Sequence, residues 1–284
     1  MQLMPLPSKI LKCGHLELDL SVPHVMGILN VTPDSFSDGG KHNGKAQAVA
    51  HAKQMIADGA TVIDVGGEST RPGASPVTVE EEICRVVPVV EELAKLNVVI
   101  SIDTSQPAVI QAAVKAGAHI WNDVRALTRP QALETAALLN IPVMIMHMRG
   151  EPTTMNHLDQ YDDVTLDVIA EIKQRVDDAL AAGVRSENII IDPGFGFAKN
   201  ASQNLKLLNE FYKLHVLGYP VLSALSRKRF IGEALKGADA QNRAVGSVAA
   251  HMFSIQQGAC IVRAHDVKAM SDAIMMWQAM QSAS

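Results

Sequence analysis

Eight short apolar runs recur along the chain of 284 residues, and each is followed by polar residues. The runs are rich in Val and Ile, they are too short for helices, and they do not alternate between apolar and polar residues. Strands that are buried on both faces of a parallel sheet have this composition. We therefore predict eight buried strands. The runs cover residues 25–29, 62–65, 98–102, 119–121, 142–146, 188–191, 220–225 and 259–262.

Stretches with the apolar spacing of helices lie between the runs. Three of these stretches end in a glycine that is followed by alanine, at Gly59, Gly117 and Gly258. Glycine just past the last turn can take the left-handed conformation that ends a helix, and an apolar run begins at once. The chain therefore repeats one βα unit. The predicted helices cover residues 45–58, 79–96, 107–116, 163–182, 242–257 and 266–280.

Eight strands that alternate with about eight helices predict an α/β fold, a TIM (β/α)8 barrel, as a single domain over residues 1–284. An open doubly wound sheet is the alternative. No G-x-G-x-x-G motif follows the first run, and this counts against a dinucleotide-binding sheet. Residues 1–20 include the alternating stretch LELDL, which predicts an N-terminal β-hairpin that closes the bottom of the barrel.

The composition limits the class of protein. Hydrophobic residues make up 48% of the chain and aromatic residues only 4%, so aliphatic side chains and Met must fill the core. The net charge of -5 argues against a broad surface for nucleic acid or membranes. Cys13, Cys84 and Cys260 are too far apart for a metal site or a disulfide framework. Without a secretory stretch or a run long enough for a membrane span, we expect a cytoplasmic protein.

Polar side chains follow every predicted strand, within a few residues of its end. In a barrel these positions converge on one rim, where barrel enzymes have their active sites. The alternative is that they are ordinary polar loop residues. Asp64, inside the second run, is an exception to the apolar pattern. The polar set is Asn30, Asp34, Glu68, Thr70, Arg71, Asp103, Asn122, Asp123, His147, Arg149, Asp192, Ser226, Arg227, Lys228, Arg263, His265 and Asp266.

Asp103, Asn122 and Asp192 form the acidic and amide part of this set. Such groups suit a ligand that presents N–H donors, such as the guanidine-like edge of a heterocycle, because two parallel hydrogen bonds to one carboxylate are strong and directional. The alternative is that Asp103 and Asp192 cap the helices that follow. Asp192 precedes Pro193 and Gly194, which favours a loop over a helix there.

Arg71, Lys228, Arg263 and His265 form the basic part. Arg263 and His265 are two residues apart and point the same way if the strand continues. Anions bind near the last two strands of many barrels and at helix N-termini. The alternative is that Arg263 forms a salt bridge with Asp64 or with Asp266.

The stretch SRKRF, residues 226–230, places three cations side by side. Crowding lowers the pKa of a lysine, so Lys228 is also a candidate for the Schiff-base nucleophile of an aldolase-type barrel. A solvated helix start is the third interpretation of these residues.

Seven motifs, in order along nearly the whole chain, resemble the dihydropteroate synthase family. They are MGILNVTPDSFSDGG (26–40), DVGGESTRPGA (64–74), SIDT (101–104), NDV (122–124), IDPGFGF (191–197), LSRKRFIG (225–232) and VRAHDV (262–267). The resemblance implies a TIM barrel in folate biosynthesis that joins 4-aminobenzoate to hydroxymethyl-dihydropterin diphosphate and releases pyrophosphate. It also implies Mg2+ dependence, a homodimer, and a sulfonamide target.

The resemblance also implies roles for individual residues, all but Met146 taken from the motifs above. Lys228, Asp34 and Arg71 would be catalytic, and Asn30 would meet the metal. Ala224 departs from the glycine that the family often has two positions before the serine of S-R-K. The pterin would contact Asp103, Asn122, Met146, Asp192 and Lys228. The diphosphate would contact Asn30, Thr70, Arg263 and His265. The aminobenzoate would contact Phe36, Thr70, Arg71, Pro72, Phe197 and Ser226.

Two further functions would also use the Asp and Asn side chains to bind a pterin. One is methyl transfer from a reduced folate to a corrinoid protein, which needs no diphosphate site, so Arg263 and His265 argue against it. The other is a pterin-binding module without catalysis. With the aldolase reading of Lys228, they are the alternatives to diphosphate substitution by an aromatic amine.

Overall fold

Strands and helices alternate along the chain as the apolar pattern predicts. The computed structural model describes residues 10–32, 40–68, 77–151 and 154–283. In these ranges the strands are β1 (Ile10–Cys13), β2 (Leu16–Asp19), β3 (His24–Asn30), β4 (Val62–Gly66), β5 (Val99–Asp103), β6 (Ile120–Asp123), β7 (Val143–Met146), β8 (Ile189–Asp192), β9 (Leu222–Ser223) and β10 (Ile261–Ala264). The α-helices are α1 (Gly40–Ala57), α2 (Val79–Leu93), α3 (Pro107–Lys115), α4 (Ala132–Leu139), α5 (Val164–Ala181), α6 (Ala201–Asn209), α7 (Arg229–Ala234), α8 (Ala244–Gln256) and α9 (Val267–Ser282).

The strands β3 to β10 form one parallel sheet in the order β8-β7-β6-β5-β4-β3-β10-β9. The first strand of this sheet, β3, pairs with both β4 and β10. A bridge between Ile191 and Val221 joins the two ends of the sheet. The predicted TIM barrel is confirmed, and the open doubly wound sheet is wrong.

The hairpin of β1 and β2 closes the bottom of the barrel. Its strands are antiparallel, with Leu11 opposite Leu18. Leu11, Cys13 and Leu18 of this hairpin are buried in one cluster with the first inward residues of the barrel strands. These strand residues include Val62, Val99 and Ile190. The predicted N-terminal hairpin is therefore confirmed over residues 10–19.

Alternation along each buried strand separates two environments. In β4, Val62 belongs to the cluster at the barrel bottom, whereas Ile63 and Val65 pack against the surrounding helices. Successive strand side chains point to opposite faces, so Asp64 faces the barrel interior one layer above Val62. The same two-residue step leads from Ile120 to Asn122 in β6. The layer above the apolar floor is therefore polar.

The helix ends agree with the glycine pattern, because Gly59, Gly117 and Gly258 have φ values of +102°, +112° and +99°. The helices α4, α6 and α7 were not predicted. They have only 8, 9 and 6 residues, whereas α3, which also has 9, was predicted together with the glycine signal at its end. All three cysteines are free, and among the helices that the structure describes none is long and apolar enough to cross a membrane.

Candidate active site

The polar layer inside the barrel converges on the carboxyl ends of the strands. Asn30, Gly66 and Asp103 lie side by side at the ends of β3, β4 and β5, as the strand register requires. Asn122 and Asp192 occupy the same layer on β6 and β8. These predicted site residues therefore share one rim, and the roles predicted for them stay predictions.

Arg263 connects two of the inner carboxylates. Its Nε donates to Asp64 Oδ2 at 2.6 Å, and its Nη2 donates to Asp103 Oδ2 at 2.7 Å. Of the two salt bridges considered for Arg263, the one with Asp64 is present. The one with Asp266 is not made, because Asp266 pairs with Arg227 instead. Burial opposes the charge of Arg263, but the neighbouring carboxylates outweigh it and raise the pKa of the guanidinium.

Asp64 is fully buried at the centre of this arrangement. Its Oδ2 accepts from Arg263 and, at 3.1 Å, from Asn122 Nδ2. Its Oδ1 is buried without a hydrogen-bond partner among the described residues. A buried carboxylate oxygen without a donor is costly, so a ligand N–H that reaches it would be stabilised. The sequence analysis noted Asp64 as an exception but did not place it in the site.

Burial raises the pKa values of both Asp103 and Asp192, and a different neighbour opposes the rise at each residue. Burial raises the pKa of Asp103, and the positive charge of Arg263 opposes this rise. Burial also raises the pKa of Asp192, and the hydrogen bond from Gly194 N to Asp192 Oδ1, 2.7 Å long, opposes it. Neither carboxylate caps a helix. The cap of α3 is Gln106, and Asp192 leads into a loop, so the capping interpretation of both is wrong.

Lys228 lies inside the rim at the start of α7. Its Nζ is 4.2 Å from the centre of the Phe197 ring. Burial first, and the charge of Arg263 second, lower the pKa of Lys228 to about 8. Gly196 allows this position, because a Cβ on Gly196 would lie 3.0 Å from Lys228 Cδ. Phe197 and Met146 share a small apolar cluster, which forms one wall of the rim.

Ser226 and His265 contact each other across the ends of β9 and β10. Ser226 Oγ lies 2.9 Å from His265 Nδ1 and accepts from His265 N at 3.1 Å. The sequence analysis placed Ser226 with the aminobenzoate and His265 with the diphosphate. The structure brings the two side chains into one unit.

The three cations of SRKRF point in different directions. Arg227 pairs with Asp266, Lys228 points inward, and Arg229 is exposed beside Glu233. The interpretation of the trio as a solvated helix start is therefore wrong for Lys228. Backbone geometry explains the separation, because Arg227 has a φ of +57° and turns the chain between its neighbours.

Several predicted positions lie outside the described residues, so the structure gives no account of them. They are Asp34, Phe36, Thr70, Arg71 and Pro72. One residue that the sequence analysis missed is Lys199, which is buried behind the Asp192 loop. Its neighbours in the sequence, Ala198 and Asn200, give no sign that this lysine is buried.

Comparison with known proteins shows the family of this chain. A family model described as "Pterin binding enzyme" matches residues 26–265. Dihydropteroate synthase of Escherichia coli strain K12 is 51% identical over 267 residues, which is 94% of this chain and 94% of the relative. This chain belongs to the dihydropteroate synthase family. Members of this family are transferases that form dihydropteroate, and the chain shares that activity.

Solved structures of dihydropteroate synthases agree along almost the whole chain. The Xanthomonas albilineans enzyme with 4-aminobenzoic acid has a TM-score of 0.91 and 47% identity, and covers 97% of this chain and 99% of its own. The Yersinia pestis enzyme in complex with a sulfonamide drug also has a TM-score of 0.91, with 48% identity and coverage of 96% and 99%. The family resemblance is confirmed, and methyl transfer to a corrinoid, the aldolase reaction and binding without catalysis are not supported.

Proposed function

We propose that this dihydropteroate synthase joins 4-aminobenzoate to hydroxymethyl-dihydropterin diphosphate and releases pyrophosphate. The observation that carries the proposal is the division of one rim into carboxylate and amide groups on β5, β6 and β8 and cationic groups on β10 and α7. The first set suits the N–H edge of a pterin, and the second suits a diphosphate.

The pterin is bound, in this proposal, by Asp192, Asn122 and Asp103. An ionised carboxylate accepts two parallel hydrogen bonds from a guanidine-like edge. Removing one partner of a buried charged pair costs about 3–5 kcal/mol, which is hundreds- to thousands-fold in affinity. Met146 and Phe197 pack against the faces of the ring, and the Lys228 ammonium donates to its acceptor atoms.

The diphosphate is bound by Arg263, His265 and Asn30, with Thr70 as a further predicted contact. Arg263 already donates through Nε to Asp64 and through Nη2 to Asp103, so the phosphate either accepts from the remaining N–H groups or replaces the bond to Asp103. Ser226 fixes the ring of His265 through Nδ1. The first turn of α9 begins next to His265, and its backbone N–H groups favour an anion at this place.

Mg2+ is proposed as the cofactor, with Asn30 as its protein ligand. The described residues contain no group of three or more His, Cys, Asp or Glu side chains that could hold a metal. Mg2+ keeps several waters and binds through substrate phosphates with few protein ligands, so one ligand from this chain can suffice. When bound, Mg2+ neutralises charge on the departing diphosphate.

The 4-aminobenzoate lies, in this proposal, between Phe197 and Ser226 on the described side and Phe36, Arg71 and Pro72 on the other. The amine attacks the methylene carbon, the carbon–oxygen bond to the diphosphate breaks, and the amine gives up one proton. Asp34 stabilises the positive charge that develops on the methylene as the diphosphate departs. Lys228 keeps the pterin oriented while this happens.

The test is pyrophosphate release with both substrates present. We expect release to require 4-aminobenzoate and to stop when EDTA is added, and Asp192→Asn should lose pterin binding at unchanged folding. Release that continues in EDTA would refute the role of Mg2+. A borohydride-trapped adduct on Lys228 would instead support the aldolase chemistry.

A homodimer and a cytoplasmic location complete the proposal. Exposed apolar side chains on the adjacent helices α8 and α9 support a dimer: Val245 is 83% exposed, Met275 58%, Met276 60% and Met280 54%. Apolar surface of this kind typically marks an interface. Light scattering should show a dimer that Met276→Glu dissociates, whereas Leu138→Glu, at an 80% exposed position on α4, should not.

A further inference from the structure

Lys199 is a buried cation directly behind the loop that carries Asp192 into α6. Only 6% of the residue is exposed. Its Nζ lies 2.9 Å from His147 Nδ1, 3.0 Å from Gly194 O and 3.0 Å from Phe197 O. An ammonium has three N–H donors, so these acceptors saturate it. Lys199 therefore holds both ends of the turn from Gly194 to Phe197.

His147 and Glu171 support Lys199 from the other side. His147 Nε2 lies 3.0 Å from Glu171 Oε2. Because His147 Nδ1 accepts from the ammonium, the ring proton is assigned to Nε2, which donates to Glu171. Burial first, and the charge of Lys199 second, lower the pKa of His147 to about 4. The imidazole is therefore neutral near pH 7 and can accept from Lys199.

The turn that Lys199 holds carries two groups of the proposed pterin site. Gly194 N donates to Asp192 Oδ1 at 2.7 Å. Gly194 has a φ of +68°, and the turn requires this left-handed conformation. The Phe197 ring lies beneath Lys228. We propose that Lys199 is a positioning residue of the dihydropteroate synthase reaction, which holds the Asp192 and Phe197 side chains in place and puts a positive charge behind the turn that follows Asp192.

The charges around the two groups support the electrostatic part of this inference. Asp192 and Glu171 favour the charged form of Lys199, while Lys228 and Arg149 oppose it. Burial, the largest effect, lowers the pKa of Lys199 to about 7. On the other side, Lys228, Lys199 and Arg263 all lower the pKa of Asp192, against the rise that burial causes. Removing Lys199 should therefore raise the pKa of Asp192.

This inference rests on the proposed function, in which Asp192 binds the pterin. The experiment measures binding of 6-hydroxymethylpterin by calorimetry between about pH 5.5 and pH 8.5, with melting temperatures for each variant. Lys199→Met should weaken binding by about 10- to 100-fold, the scale of a lost charge-assisted hydrogen bond, and should shift the acidic limb of the profile to higher pH. The matched control is Lys206→Met on α6, which removes an exposed lysine paired with Glu210.

A lower melting temperature for Lys199→Met with unchanged affinity and an unchanged pH profile would overturn the inference. Glu171→Gln tests it with a second variant, because this residue is partly exposed and its amide preserves an acceptor for His147. The variant should shift loss of binding in alkali to lower pH, since Glu171 stabilises the ammonium of Lys199. An unchanged alkaline limb would also overturn it.

Asp192→Asn separates the two levels of the argument. If this variant binds the pterin as tightly as the unmodified protein does, the proposed pterin site is wrong. If Asp192→Asn loses binding while Lys199→Met does not, the proposed function stands and only the role of Lys199 is wrong.

Discussion

Arg263 Nη2 lies 2.7 Å from Asp103 Oδ2, so a residue of the proposed diphosphate site is bonded to a residue of the proposed pterin site. The guanidinium also donates to Asp64 on β4, one of the two strands between them. The pterin and the diphosphate of the proposed substrate would therefore bind at side chains that belong to one ion-pair network. If the diphosphate takes Nη2, its affinity is reduced by the free energy needed to release Arg263 from Asp103.

Asp103→Asn tests this competition. Losing the carboxylate charge frees Arg263 Nη2, so pyrophosphate with Mg2+ should bind more tightly, by about twofold to fivefold, the scale of a partly exposed ion pair. The pterin should bind more weakly in the same variant. Calorimetry with each ligand measures both effects, and Asp272→Asn, which removes the partner of Lys268 on the exposed face of α9, is the control. Parallel weakening of both ligands would show that Arg263 does not exchange partners.

Gly196→Ala should damage the pterin site through Lys228. Gly196 has a φ of +78°, and an added Cβ would lie 3.0 Å from Lys228 Cδ. The control is Gly218→Ala, at a φ of +76° with no atom within 4 Å of the added Cβ. Both variants should lose about 1–2 kcal/mol of unfolding free energy, because a side chain is strained in this conformation.

Only Gly196→Ala should also weaken pterin binding. Denaturant unfolding gives the first quantity and calorimetry the second. If Gly218→Ala weakens binding to the same extent, general loosening of the fold and not displacement of Lys228 is the cause.

Part of this site follows from local patterns in the sequence. Asp64 interrupts a run of Val and Ile, and the period of two places it inside the barrel with Asn122. The partner of Arg263 does not follow in this way, because Asp64 is 199 residues away and Asp266 lies nearer in the chain. Lys199 could not be found at all, since its burial depends on the path of the loop and on His147 and Glu171 from other elements. Ala224 lies two residues before Ser226, and nothing in the structure explains its departure from glycine.

Ser226→Ala distinguishes two assignments of this serine. The sequence analysis placed it against the aminobenzoate, whereas the structure bonds it to His265 through both Nδ1 and the backbone N. If its main role is to orient His265, the KM for the pterin diphosphate should rise by about 5- to 20-fold, the scale of one hydrogen bond to a charged ligand. The KM for 4-aminobenzoate should change by less than about twofold, because the substitution would then remove no contact with that substrate. Steady-state kinetics with each substrate varied in turn measures this. A rise confined to the KM for 4-aminobenzoate would support the first assignment instead.

The protonation of Lys228 should set a second alkaline limit of the reaction, above the one that we assign to Lys199. Burial and then Arg263 lower its pKa from 10.5 to about 8. The ammonium is a stronger donor to the pterin than the neutral amine, so kcat/KM for the pterin diphosphate should fall as pH rises through about 8. This fall comes in addition to the one near pH 7 that loss of the Lys199 charge produces. Lys228→Met should lower kcat/KM at neutral pH and remove this limb, because no group of that pKa remains at the position. Lys268→Met on α9, whose lysine is exposed, is the control and should keep the limb. A fall near pH 8 that persists in Lys228→Met, besides the one near pH 7, would assign that titration to another group and would remove Lys228 from the binding of the pterin.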